Sequence, residues 1–497
     1  MSQNKIYPAE WLRNKPYKKL SDADTYYSDL STKILGVIKA SPVMEVLIKD
    51  RNWPKKISMT IAGLLEDLIS DIGVWKLVLS ENMKRYGKPI PFYDTSYYVD
   101  GEINPQDVKL IIWDFCQRRT LGTVINPENV GICETAESVY ALLDGEWETA
   151  PENEALKNAV TKKTAAKDYW VARELLSWVS EGCFLNHRFE EDLLSGIESY
   201  KTEEVLDKEH YTYLQRMAQM FSWRENLVCL RPQQILSAIC GCDEQGVLEK
   251  CRMEPILPYS YKGYDSQYLH LRRFADEKDF NVELSSFSST DSFVQLFKQS
   301  PMTYCNLVNW GSKWYQCGIM FPCFRAPSDK TNYMNRLELG YISDGAKKIY
   351  ETLRGLFPDK NIIFYKNYFE ASSFLNKTFE GKYILQEPPT LDKQEPVAIF
   401  PSPRGGIMSL TGYVQCIASP DNPYYDKEVA NEYALKLMLD TNLMPYDLVS
   451  VLINDGLLPD AKLTSRESEE HGRKLLQDNI FFITDYFHMR YQGDDTK

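Results

Sequence analysis

Apolar side chains recur every three to four positions through most of the first half of the chain. In ISMTIAGLLEDLISDIGVWKLVL, Ile61, Leu64, Leu65, Leu68 and Ile72 share one face of a helix. EINPQDVKLIIWDFCQRRT is punctuated as a helix as well as patterned as one. Asn104 can cap it, Pro105 suits the first helical position, and Asp107 sits in the positive first turn. Val108, Ile111, Ile112 and Phe115 form its buried stripe, and Arg118 and Arg119 complement its negative end. WVARELLSWVSEGCFL and HYTYLQRMAQMF carry the same amphipathic period. Residues 1–255 therefore read as a helical domain, with no internal repeat.

Near Pro255 the period changes from helical to alternating. QYLHLRRF and FNVELSSF alternate as strands do, and YCNLVNWGSKWYQCGIMF reads as a hairpin about Gly311-Ser312. A two-residue type II′ turn is expected there, with glycine taking the positive φ. Residues 256–330 then form a small antiparallel β barrel or sheet module. From 331 to 497 the pattern is α/β followed by helices. SDGAKKIYETLRGLF and FEASSFLN read as helices, NIIFYK as a strand, and PVAIFPSPRGGIMSLTG as strand, turn, strand. Asp426 caps KEVANEYALKLML, and a long last helix follows. The fold class is α+β.

Composition changes the picture in three ways. The 497 residues suffice for two to four folding units, and 32 Tyr with 10 Trp argue for order nearly throughout. The net charge of −13 disfavours a non-specific nucleic-acid coat. The densest acidic stretch, Asn126 to Leu156, reads as a solvated face, or more sharply as a docking surface for a basic protein partner. The N-terminus lacks an apolar signal core and no apolar run approaches membrane-spanning length, so a cytoplasmic protein is expected, its eleven cysteines mostly free thiols.

Several segments are familiar together. YPAEWLRNKPYKKLSDADTYYSDL, GEINPQDVKLIIWDF, GEWETAPENEAL and SPRGGIMSLTGYVQCIASPDNPYYDKEVANEYAL resemble an uncharacterised bacterial family, known mainly from gut anaerobes and catalogued as a domain of unknown function. The resemblance spans most of the chain and implies a bacterial, cytoplasmic protein. It carries no activity and no catalytic residues with it.

Candidate chemistry is sparse. Cys229, Cys240, Cys242 and Cys251 crowd one stretch, but Cys-x-Cys with no matched second pair is not zinc-knuckle spacing. RPQQILSAICG explains Cys240 as the buried end of a helix stopped by Gly241. Core thiols, with no metal and no cofactor, are the expectation. The five histidines include no HExxH spacing, and a Cys183–His187 dyad cannot be read from proximity in sequence. Glu66, Asp67 and Asp71 look like an exposed helix face, with Asp67 and Asp71 at i and i+4; a cation or acid–base pair is the sharper alternative. PSPRGG offers Arg404 beside two glycines, which suits an anion, although a tight hairpin turn explains it too. In the β module, Trp310, Trp314, Tyr304, Tyr315 and Tyr268 with Arg272 and Arg273 form either its core or an aromatic surface for a peptide or single strand. The expected function is a non-enzymatic binding or scaffold protein using Trp310, Trp314, Arg272 or Arg404. The alternative is a hydrolase or nucleic-acid-processing enzyme with its site near Arg404 or near Asp67 and Asp71.

Overall fold

A computed structural model describes residues 5–41, 44, 52–117, 123–162, 164–198, 206–323, 330, 333, 344–381, 385, 393–403, 405–441, 443–444, 446–458 and 468–488. Arg118, Arg119 and Arg404 lie outside the described residues. The chain forms two compact units, residues 1–115 with 128–337, and residues 116–127 with 338–497.

Among the described residues, the first unit begins with the helices α1 (Pro8–Leu12), α2 (Asp22–Ala40), α3 (Trp53–Ile69), α4 (Val74–Tyr86), α5 (Pro105–Gln117), α6 (Val130–Glu146), α7 (Glu154–Val160), α8 (Tyr169–Ser177), α9 (Phe189–Glu198), α10 (Lys208–Ser222) and α11 (Pro232–Cys240). Local chemistry sets their starts. Ser21 and Asp24 make a reciprocal capping box on α2, and Asp168 accepts from Trp170 and Val171 at the head of α8. At α5 the roles are reversed from the sequence expectation. Asp107 reaches back to the Asn104 amide (2.8 Å), while the Asn104 side chain ties down the preceding loop at Val99 and Glu102. The predicted stripe Val108, Ile111, Ile112 and Phe115 is buried.

Strand β1 (Arg252–Met253) leads into β2 (Leu257–Tyr264), β3 (Tyr268–Arg273) and β4 (Asp279–Glu283), then helix α12 (Thr290–Gln299), then β5 (Met302–Trp310) and β6 (Lys313–Pro322). The sheet runs β1-β5-β2-β3-β4-β6 and closes through β5–β6. Strands β4 and β6 meet in parallel at Val282 and Trp314, while the other pairs are antiparallel. Five strands closing in this order, with a helix between the third and fourth, make the topology of the OB barrel. Alternation fills its interior with Leu257, Tyr259, Leu269, Leu271, Phe280, Val282 and Leu307, and Leu214 of α10 joins the same cluster. The hairpin turn falls at Gly311-Ser312 as expected, but both residues take positive φ (53° and 68°), so the turn is of type I′ rather than II′.

The second unit holds α13 (Asp344–Leu356), β7 (Ile363–Tyr365), α14 (Tyr368–Thr378), the hairpin β8 (Val397–Ser402) and β9 (Gly406–Thr411), and then α15 (Lys427–Leu439), α16 (Tyr446–Asn454) and α17 (Glu469–His488). Asp426 caps α15 by accepting from Glu428 and Val429. The sheet β7-β8-β9 is antiparallel and packs Ile363, Val397 and Ile399 against Leu353, Ala371 and Leu375. Gly406 takes φ +74°, and a Cβ there would stand 2.8 Å from the Ala346 carbonyl oxygen of α13. The close approach that the glycine permits is therefore to a helix backbone. Gly406→Ala is expected to destabilise this unit by about 2 kcal/mol or more, through strain and overlap together. Faster amide hydrogen exchange across β8 and β9 is the measurement; unchanged exchange refutes the packing argument.

Candidate functional site

Among the helices of the first unit lies a cavity of about 420 Å3, within the roughly 300–1,000 Å3 common for small-molecule sites. Its walls come from α1 and the turn after it, from α3, and from the segment linking α8 to α9. In that segment the helix widens to a π-turn at Trp178–Gly182, a distortion frequent at functional sites. Trp178 donates its indole N–H to the Asn14 carbonyl (3.1 Å). Gly182 is required at this crossing, because a Cβ would meet both the Asn14 oxygen and the Trp178 ring at 2.8 Å.

The polar side of the cavity rests on a buried network. Lys15 pairs with Glu66, the two side chains being 6% and 2% exposed, and the Lys15 ammonium sits 4.4 Å from the centre of the Trp11 ring. Glu66 also accepts from the Asn153 amide (2.8 Å), which reaches Asp24 (3.1 Å) and the Tyr17 hydroxyl (2.9 Å). Asn153 in turn caps α7 by accepting from Leu156. One network thus joins the N-terminal turn, α2, α3 and α7. Burial and the Asp24 carboxylate push the Tyr17 hydroxyl well above its usual range.

A second chain of bonds locks α3, α4 and α5 behind the cavity. Asp67 accepts from the Val74 and Trp75 amides (3.0 and 2.8 Å), the first turn of α4. The Trp75 indole donates to Asp107 (2.9 Å), which also accepts from the Tyr98 hydroxyl (2.8 Å). Burial pushes Asp67 up to about 7 and Asp107 up to about 6, against the bonds that favour their charged forms.

The expected solvated face at 66–71 is therefore corrected. Glu66 and Asp67 are buried, α3 ends at Ile69, and Asp71 falls beyond it in a left-handed turn (φ 49°) and is exposed. Asp67 and Asp71 do not share a helix face. The amphipathic period places a carboxylate at the edge of a stripe but cannot show that Lys15, Asn153 and the head of α4 cover it. Cys183 and His187 both line the cavity. Burial pushes the Cys183 thiol up to about 12, so it stays protonated at neutral pH. His187 stacks on Phe115 (centroids 3.9 Å apart) with Nε2 3.2 Å from Asp114.

Two cavity-wall residues carry unsatisfied groups. Both polar atoms of the Asn186 amide, and the Trp11 indole N–H, are buried without a hydrogen-bond partner among the described residues. Buried polar atoms in folded proteins are nearly always paired, and these are among several in the described residues that have no partner there.

Sequence comparison bears on which part of the molecule is the shared one. The profile of a family described as Protein of unknown function (DUF3843) matches residues 5–231 and 338–489. The chain belongs to the DUF3843 family. No curated protein and no solved structure matches it. Every residue lining the cavity falls within the DUF3843 match, whereas the barrel falls in the unmatched stretch between its two parts.

The remaining sequence candidates are scattered. Trp310 is 6% exposed and meets Tyr169 of α8 edge-on; Tyr315 stacks on the same ring at 4.5 Å, and Tyr304 is fully buried. Trp314 is half-buried against Phe280. Arg272 lies on the outer barrel face in a two-pronged bond to Asp279 (2.6 and 2.8 Å), beside His270 bonded to Asn281 (2.8 Å) and Asp265 (3.1 Å). Arg273 turns inward to Glu254 and Asp276. Cys229, Cys240 and Cys251 are buried, and no group of three or more His, Cys, Asp or Glu among the described residues is placed to hold a metal. In the acidic stretch Glu134, Glu137, Asp144, Glu148, Glu152 and Glu154 are exposed; Glu146 is drawn to Lys33 and Tyr26. No helix among the described residues is long and apolar enough to cross a membrane.

Sequence reasoning missed Trp11, Lys15, Asn153 and Asn186. Only Asn153 left a local trace, as a capping residue before EALKNAV.

Proposed function

We propose that this is a binding protein whose ligand seat is the cavity of the helical part of the first unit. The occupant is a small, largely apolar molecule that offers a donor and an acceptor to the Asn186 amide and an acceptor to the Trp11 indole N–H. The cavity carries this reading, with Asn186 among its lining residues and a buried, unpartnered amide on that side chain. The cavity's place inside the DUF3843 match supports it. Binding is favoured over catalysis because the reactive groups are committed elsewhere. Asp67 holds the head of α4, Glu66 is paired, and Cys183 is held as a thiol. A protein partner on the barrel is a second reading. The outer face of β3 and β4 is polar with its charges paired across strands, which suits a protein surface better than a phosphate backbone.

Asn186→Leu tests the seat. Removing an unpaired buried amide at nearly constant shape is expected to raise the ligand-free stability by about 1 kcal/mol. All ten tryptophans lie in the first unit, so tryptophan fluorescence reads its unfolding. A small-molecule library screened by thermal shift should yield a compound that stabilises the wild-type protein and not Asn186→Leu. A drop in ligand-free stability, or a compound that stabilises both proteins equally, sinks the assignment.

A further inference from the structure

The Cys-x-Cys stretch, whose spacing does not match a zinc knuckle, has a geometry of its own. Helix α11 ends at Cys240, and Gly241 follows in the left-handed conformation (φ 60°), a turn a glycine takes without strain. The chain reverses there and brings the Cys242 sulfur to 3.3 Å from the Cys240 sulfur. The two thiols differ in access. Nine of the eleven cysteines are buried, Cys240 among them at 5% exposed, and Cys242 is one of the two that are not. The Cys242 thiol lies 3.7 Å from the Lys162 carbonyl and the Cys240 thiol 3.6 Å from the Ser237 carbonyl, contacts that leave each sulfur facing the other.

We propose that Cys240 and Cys242 form a vicinal dithiol that takes a small disulfide oxidant, of the glutathione disulfide class, and closes to an internal disulfide. Cys242, as thiolate, attacks one sulfur of the oxidant; the oxidant's S–S bond breaks and one thiolate leaves. Cys240 then attacks the Cys242 sulfur of the mixed disulfide. The new Cys240–Cys242 bond forms, the second small thiol leaves, and it carries away the Cys240 proton. Two protein thiols are oxidised by two electrons, and one disulfide is reduced to two thiols. Access sets the order of the two steps, with Cys242 attacking and Cys240 resolving. Burial and the neighbouring Cys242 thiol push Cys240 up to about 12, consistent with the resolving role. Closure removes the thiol contact to Lys162, which lies between α7 and α8.

The full-length protein is incubated with oxidised glutathione, quenched with an alkylating reagent and digested without reduction. The expected product is a peptide holding both cysteines, lighter by two hydrogens and unalkylated, formed roughly tenfold faster than any modification of Cys133, the other accessible thiol. Cys240→Ser is expected to stop at a stable glutathione adduct on Cys242, and Cys242→Ser to leave Cys240 unmodified. Tryptophan fluorescence confirms that each variant is folded. A wild-type protein that accumulates the Cys242 adduct without closing, or that reacts at Cys133 first, overturns the proposal.

Discussion

Lys15→Met is expected to destabilise the first unit by about 3–5 kcal/mol, read from the guanidinium midpoint by tryptophan fluorescence. The reason is burial: with the ammonium gone, Glu66 is left with the Asn153 amide among the described residues, in a site that is 2% exposed. An ion pair on the surface would cost under about 1 kcal/mol to break, because water takes over the lost partner. The double variant Lys15→Met with Glu66→Gln separates the two cases. A glutamine amide still accepts from Asn153 and leaves no charge behind, so more than half of the lost stability should return. A single variant costing less than about 1 kcal/mol would show that the pair is solvated.

The second large effect is a stability profile that falls as pH rises. Asp67 holds its proton up to about 7 in the folded chain, against 3.8 ordinarily, and Asp107 holds its proton up to about 6. Between pH 4 and these values the unfolded chain has released both protons while the folded chain keeps them. Unfolding therefore releases protons, and raising the pH favours it. Each proton held in this way makes stability fall by about 1.4 kcal/mol for every pH unit climbed. Between about pH 5 and 7.5 the first unit is expected to lose about 2 kcal/mol or more from this source. Carboxylates held low, such as Asp276 beside Arg273 and Glu146 beside Lys33, act in the opposite sense, but only below their ordinary range. His488 also opposes, since burial lowers it; it lies in the second unit, which tryptophan fluorescence does not report. Asp67→Asn should flatten most of the slope. A wild-type profile that is level or rising over this window, or a variant with the same slope, contradicts the burial argument.

How much of this was legible in the sequence depends on the range of the interaction involved. Most helix stripes, strand alternation, the place of the Gly311-Ser312 turn and the Asp426 cap are short-range features, readable because the residues that satisfy them are neighbours; the stripe drawn through Ile72 ran past the end of α3 at Ile69. Even there, competition hid some details. Asn104 looks like a cap, yet a loop five residues back claims its side chain and Asp107 does the capping. The type I′ turn needs Ser312 in a left-handed conformation, which composition alone makes the less favoured choice. The carboxylates at 66 and 67 were misread for a longer-range reason. Their partners are contributed by residues 15, 74, 75 and 153, and nothing in the local pattern marks them.

Spacing along the chain was enough for the α+β class and for the change from a helical to a strand pattern near Pro255, because each depends on side chains a few residues apart. It also weighed against a zinc knuckle at 229–251, since ligand spacing is a local property. That five strands close in OB order, and that Glu66 and Asp67 are buried, emerges solely from the three-dimensional structure. It alone placed Asn186 and Trp11 on one cavity with groups left to satisfy, and brought the Cys240 and Cys242 sulfurs together. Those facts turn on which distant segments meet. The free energy that chooses among such meetings comes from burial and pairing summed over the whole core, a quantity no short window of the chain contains.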